Sequence, residues 1–214
     1  LENVENLVSH NKGETFRIIL NTLENELNYH VIGVERDEKG ELTFDKKSFI
    51  RNTKNFGLPQ NRPRVYMVAF SRDYFGKHLD VLPKETPTEG RKEIFHSVLD
   101  ILDTEVSERF FLSSGLLETL EKHRARQKSN GNGFGYRVVN DTSITRPLAH
   151  TILATGGSGK ERNLIYDPVN GRDIAGTDVK GKKTPINGKC IRTMTPEEWG
   201  RLQGFIGYAF LDGN

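Results

Sequence analysis

Residues 64–71 read RVYMVAFS, and this short run limits the fold more than any other part of the chain. In an extended strand Val65, Met67 and Ala69 point to one face and Tyr66, Val68 and Phe70 to the other. Both sets are apolar, so the strand is expected inside a sheet covered on both sides, as in a layered α/β domain. The upstream pattern agrees. Between Lys12 and Asn28, Phe16, Ile19, Leu20, Leu23 and Leu27 fall on one helical face, which predicts a helix packed on a sheet. Tyr29, Val31, Ile32 and Val34 predict a strand over Asn28 to Arg36, closed by the charged turn DEKGEL.

After Ser71 the texture changes to the proline-bearing stretch VLPKETPTEGRKE, a boundary signal. The expected division is 1–72 as the last part of an α/β sheet domain, 73–189 as a loop-rich α+β domain, and 190–214 as a capped helix returning to the first. Within the second region a helix is predicted over Ser114 to Arg126, with short strands at Tyr136 to Val139, His150 to Ala154 and Asn163 to Tyr166. Asn170 to Lys189 is polar and glycine-rich, which suits an exposed connection. Near the end, CIRTMTPEEWGRLQGF carries a complete helix start. Thr195 is the N-cap, Pro196 the first helical residue and Glu198 the capping-box partner, with Trp199 and Leu202 inward and Gly204 as the stop.

Charge separates the regions further. From Lys122 to Asn163 eight lysines and arginines face only two acids, a local +6 in a chain of net +2, so the remainder is net acidic. A basic segment threaded with Gly, Asn and Ser suits a polyanion such as DNA. Two glycine loops here imitate nucleotide-phosphate loops without their context. NGNGFGY (130–136) follows a basic helix and precedes a strand, and TGGSGKE (155–161) has Glu161 where magnesium chemistry needs Ser or Thr. The lone Cys190 follows Lys189 beside the capped helix and is expected to be a packing thiol. It can form no internal disulfide, and no Cys/His pair has zinc spacing, so no metal is expected. There is no apolar run of membrane-spanning length and no secretory signal pattern, so the expected location is the cytoplasm.

Taken in order, the motifs are Glu2-Asn3-Val4, then Gln60-x-Arg62-x-Arg64 before a strand, then a variable basic loop region, then Arg192-x-x-Thr195-Pro-Glu-Glu198-x-x-Arg201-Leu-Gln-Gly-Phe205. This order resembles the C-terminal portion of the DNA (cytosine-5) methyltransferases of bacterial restriction-modification systems. The resemblance implies the end of a Rossmann-like methyltransferase sheet followed by a target-recognition domain. It also implies S-adenosylmethionine as cofactor, double-stranded DNA as partner, and a bacterial, nucleoid-associated setting. In that family a cysteine thiolate adds to carbon 6 of a flipped cytosine while an acid protonates ring nitrogen 3. Glu2 matches the acid, and a carboxyl that donates must hold or share a proton, which calls for a desolvated pocket. Arg64 matches the residue gripping the ring oxygen and Arg62 a partner that orients the site; Pro63 biases Arg62 toward extended geometry, so the two share one face. Thr151 and Ile152 match a short recognition element. Arg137, Arg146, Lys160 and Arg162 are candidate DNA contacts, either to phosphates or to guanines.

The family's cofactor loop and Pro-Cys nucleophile are not in this sequence, and none of its residues is assigned to the cofactor. The chain is therefore expected to be a fragment or one subunit, inactive alone, whose partner is an N-terminal segment or separate subunit carrying Pro-Cys. The alternative is a DNA-binding subunit or module of a divided or degenerate methyltransferase, without its own catalysis. A generic nucleic-acid-binding α+β protein is a third reading.

Overall fold

The apolar stripe at 12–28 is realised in the computed structural model, which describes residues 1–133, 135–152 and 163–207, as helix α1 (Glu14–Asn21) running into a π turn at Thr22–Glu26. The helix starts later than the stripe suggests, because Asn11, Lys12 and Gly13 all take positive φ. Phe16 and Leu20 are fully buried, and the Phe16 ring meets Phe44 and Phe49 edge-on at centroid distances of 5.7 and 5.2 Å. Against this stripe lie short antiparallel strands. They are β1 (Glu2–Val4), β2 (Tyr29–Val31), β3 (Val34–Arg36), β4 (Leu42–Phe44) and β5 (Ile50–Asn52). Further along come β6 (Gln60–Asn61), β7 (Pro63–Tyr66) and β8 (Ala69–Ser71), with the short helix α2 (Arg72–Phe75) following. The sheets are β1-β7-β5, β2-β8 and β3-β4.

Two strand expectations are corrected. The strand over 28–36 is broken into β2 and β3 by a turn at Gly33, whose φ of 85° favours glycine. RVYMVAFS is likewise divided: β7 pairs with β1 and β5, whereas β8 pairs with β2. Val65 and Met67 enter the core, but Tyr66 and Val68 are 38 % and 40 % exposed. Only one face is covered among the described residues, because the opposite face of β7 carries arginines. Glu24 closes the helix end: its buried carboxylate accepts from Val31 N at 2.6 Å and pairs with Arg36 and Arg72.

The compact units are 1–56 with 62–91, and 57–61 with 92–214, so the boundaries after 72 and 189 are both displaced. The proline-bearing stretch stays with the first unit because the Arg51 guanidinium donates to the carbonyls of Thr86 and Pro87 and Gly90 N donates to Asn55 O at 2.8 Å. Residues 190–214 belong to the second unit, where β10 (Ile165–Tyr166) pairs with β11 (Ile191–Arg192).

In the second unit, predicted helix and observed α3 (Ser114–Ser129) coincide in their start. Strand content is less than the pattern suggests. Residues 136–139 contribute only the bridge Val138 to Leu164, and β9 (Ala149–His150) pairs in parallel with β6. Asparagine amides replace much of the missing ladder. Asn140 holds both backbone groups of Tyr166, Asn163 both of His150, and the buried Asn187 joins Leu112 O to Ile191 O and N. Each pairs a backbone group that would otherwise be buried unmet. Residues 170–189 are not simply an exposed connection. The short helix α4 (Pro168–Gly171) opens the segment, which folds back through Gly176–Ile186 hydrogen bonding and buries Ile186 and Asn187. Cys190 is buried beside Phe111 and Ile186, as expected of a packing thiol.

Helix α5 (Pro196–Leu202) has the full capping box between Thr195 and Glu198. Its larger role was not legible in the capping pattern. Glu198, fully buried, accepts from both terminal nitrogens of the equally buried Arg192 at 2.7 and 2.8 Å, and Arg192 Nε reaches Asp167 at 2.7 Å. Glu198 also takes Asp103 N, so one carboxylate joins α5 to two other segments, β11 through Arg192 and the loop at Asp103, and Arg201 pairs with Asp103 beside it.

Candidate active site and nucleic-acid interface

The three motif residues, Glu2 at the start of the chain, Arg64 in β7 and Arg62 just before it, come together at one sheet face. Val4 lies directly opposite Arg64 and Glu2 opposite Tyr66, so Glu2 and Arg64 are diagonal neighbours on one side of the pleat. Glu2 Oε1 lies 3.1 Å from Arg64 Nε and 3.9 Å from Arg62 Nη2. Arg64 is held further by donation from Nη1 to Pro63 O at 2.8 Å, and its side chain is 14 % exposed. The backbone of Arg62 is fixed by Asn52, whose side-chain oxygen accepts Arg62 N at 2.9 Å.

Glu2 differs from the desolvated acid that the resemblance implies. Its side chain is 46 % exposed, because the face it shares with Val4 and Tyr66 is open among the described residues. What the face offers chemically is a carboxylate between two guanidinium groups, whose further N–H donors suit a carbonyl oxygen. Sequence reasoning missed Arg51. The register places it opposite Arg64 on the same face, a like-charge pairing that normally destabilises a sheet. Its guanidinium turns away onto the carbonyls of Ile50, Thr86 and Pro87, and burial lowers its pKa. Asn52 and Arg51 could have been found only from the strand register, which no local motif reveals.

In the second unit the recognition candidates separate. Arg137 lies 3.5 Å from His150 Nε2 and 3.5 Å from Gly133 O, and Thr151 donates to Asn61 O at 3.0 Å, so Arg137 is brought beside the residue that precedes Thr151. Ile152 is half-buried against the core of Val98, Ile101 and Ala149. Arg146 is turned inward, donating to His96 O at 2.8 Å and pairing with Glu93 at 3.2 Å. Lys160, Arg162 and the TGGSGKE loop lie outside the described residues. Two concavities accompany these elements. One, of about 460 Å³, is rimmed by Arg124, Lys128 and Arg137; the other, of about 570 Å³, by Arg109, Lys182 and Lys183.

A model of the C-5 cytosine-specific DNA methylase family matches residues 1–206. The chain belongs to this family. Among the family's curated members it is 37 % identical over 206 residues to the type II methyltransferase M.HpaII of Haemophilus parainfluenzae, covering 96 % of this chain and 49 % of that protein. It is 31 % identical to the type II methyltransferase M1.ScrFI of Lactococcus lactis subsp. cremoris, covering 96 % and 42 %. The chain thus spans about half the length of the C-5 methylases it matches. A solved structure of the Entamoeba histolytica methyltransferase EhMeth superposes with a TM-score of 0.52 at 18 % identity, over 95 % of this chain and 49 % of that one. That likeness shows a shared mixed α/β methyltransferase fold. Among the described residues, no helix is long and apolar enough to cross a membrane.

Proposed function

We propose that this chain supplies the base-gripping face and the target-recognition part of a DNA (cytosine-5) methyltransferase acting on a flipped cytosine in a specific duplex site. The observation that supports this reading is the cluster of Glu2, Arg64 and Arg62 on one sheet face. Glu2 donates a proton to ring nitrogen 3 as a cysteine thiolate adds to carbon 6, so that no negative charge accumulates on the ring. Arg64 donates to the ring oxygen and Arg62 holds the Glu2 carboxyl in line. The first unit corresponds to the end of the Rossmann-like sheet, and the second engages the DNA, with Thr151 and Ile152 as its recognition element and Arg137, Lys160 and Arg162 as contacts to phosphates or bases. Arg146 supports its loop from within.

S-adenosylmethionine, the family's methyl donor, supplies the methyl group. Both concavities of the second unit are rimmed by cations, which does not suit a sulfonium, and no residue of this chain is assigned to the donor. Cys190 is buried as packing, so the nucleophile is carried on a further segment or subunit with a Pro-Cys motif. The open apolar positions Val4, Tyr66 and Val68 beside Glu2 favour its docking there, which would desolvate Glu2. The test is methyl transfer to duplex DNA by the intact protein. Glu2→Gln is expected to slow it by about 10²–10⁴. An unchanged rate would remove Glu2 from the chemistry.

A further inference from the structure

The concavity beside α3 was built by the loop that follows it, and its chemistry is one-sided. Arg124, Lys128 and Arg137 line it together with Asn132, Gly133 and Tyr136, and among the described residues no carboxylate does. The nearest acid on the helix, Glu121, is paired with Lys189 at 2.6 Å and accepts a hydrogen bond from the Tyr136 hydroxyl at 3.3 Å. Among the described residues neither Arg124 nor Lys128 has a carboxylate partner, and Arg124 instead lies over the Tyr136 ring at 5.3 Å. The loop approaches this closely only because residue 135 is glycine. Its φ is 145°, and a Cβ there would come within 2.8 Å of Arg124 Cγ and 3.2 Å of Arg124 Cα. Arg124 and Lys128 are four residues apart on one helix face, about 6 Å along the axis, with Arg137 closing the far side.

We infer that Arg124, Lys128 and Arg137 form a phosphate-binding notch for the backbone of duplex DNA, so that Arg137 positions the duplex and does not read a base. Arg126 and Lys122 are each two residues from Arg124, about 200° round the helix, so they belong to its other face, and Lys122 pairs with Glu118 at 2.6 Å. The notch itself therefore consists of Arg124, Lys128 and Arg137, and its preference for a polyanion over a small anion rests on the DNA-modifying function proposed above. The inference rests on the proposed DNA-modifying function and adds which arginines are blind to sequence. An ordinary reason for the cations also exists: Arg126 and Lys128 sit in the last turn of α3, where positive charge stabilises a helix.

Duplex binding by the intact protein, measured against salt on its own target and on scrambled duplex, separates these readings. Arg124→Ala with Lys128→Ala is expected to weaken both duplexes by the same factor, roughly tenfold or more per contact. It should also lower the log–log salt slope by about 0.9 for each phosphate lost. Arg137→Ala should do the same singly, and Lys128→Arg should restore binding. A lowered melting temperature with an unchanged salt slope would mean helix stabilisation only and would overturn the inference. So would loss confined to the target duplex, which would make Arg137 a base reader. Inorganic phosphate competing at the notch while duplex affinity is unmoved by the variants would make it a small-anion site, again against the inference. If the unaltered protein bound no duplex at all, the proposed function itself would fall, whereas normal binding with inert variants removes the notch alone.

Discussion

Glu198 and Glu2 are both glutamates held by arginine, and they show what burial does to the same pair of groups. Glu198 and Arg192 are sealed in the second unit, every donor and acceptor directed at a neighbour: two bonds between them, Asp167 on one side, Asp103 N and Thr195 N on the other. Glu2 and Arg64 share an open sheet face, one contact of 3.1 Å, with Arg62 at the limit of pairing. A closed network of this kind fixes structure, because removing either member leaves an uncompensated buried charge. The open one holds little stability, since exposed pairs contribute on the order of 0–1 kcal/mol, and keeps unused donors and acceptors for a ligand.

This contrast breaks first at Glu198. Glu198→Ala is expected to destabilise the second unit by about 3–5 kcal/mol, read as an early loss of its unfolding transition in urea. A cost below about 1 kcal/mol would mean the buried pair is not what holds α5 to the rest. Glu2→Gln is the mirror experiment: its effect on unfolding should stay within about 0.5 kcal/mol, as for surface changes generally. A large stability loss there would erase the distinction between the two sites.

The contrast can be sharpened with pH. Burial raises the Asp167 pKa, but the Asn170 amide and the Arg192 guanidinium more than reverse this, and the group ends below the ordinary aspartate value. A carboxylate with a depressed folded value contributes stability that is fully present above the unfolded pKa, about 3.9, and disappears as pH falls through the folded one. The second unit should therefore lose stability below about pH 4, and Asp167→Asn should flatten that part of the profile; an unchanged profile would show that Asp167 is not linked to folding. Arg192 remains charged throughout, since Glu198 and Asp167 outweigh the effect of its burial. Thr195→Ala removes the cap together with the hydroxyl's hydrogen bond to Asp103 at 2.6 Å, and should cost about 1–2 kcal/mol in the same unfolding assay. Smallest of all, Cys190→Ser should leave methylation by the intact protein unchanged; a strong loss without unfolding would return Cys190 to the list of nucleophiles.

What was legible in the sequence was local. The capping box of Thr195 and Glu198 spans three residues, and α3 declares itself through its own composition, so both could be placed without partners. The division of RVYMVAFS could not, because it depends on β7 pairing with β1 and β5 while β8 pairs with β2, contacts made between residues as far apart as Glu2 and Tyr66. The same holds for Arg192, which finds Glu198 across a turn and Asp167 from another strand end. The meeting of Glu2 with Arg64 was implied by the motif order, yet its geometric cause is a register that alternation alone does not fix.

The claim that the open arginine face grips a flipped base is tested most directly by Arg64→Ala in the intact protein, comparing duplex affinity with the single-turnover methylation rate. On the proposed reading, phosphate contacts in the second unit hold the duplex before the base leaves the stack, so affinity should change by less than about threefold. The rate should fall by roughly ten- to a hundredfold or more, the loss of a charged hydrogen bond to the base. Equal losses in affinity and rate would make Arg64 a backbone contact and contradict the account.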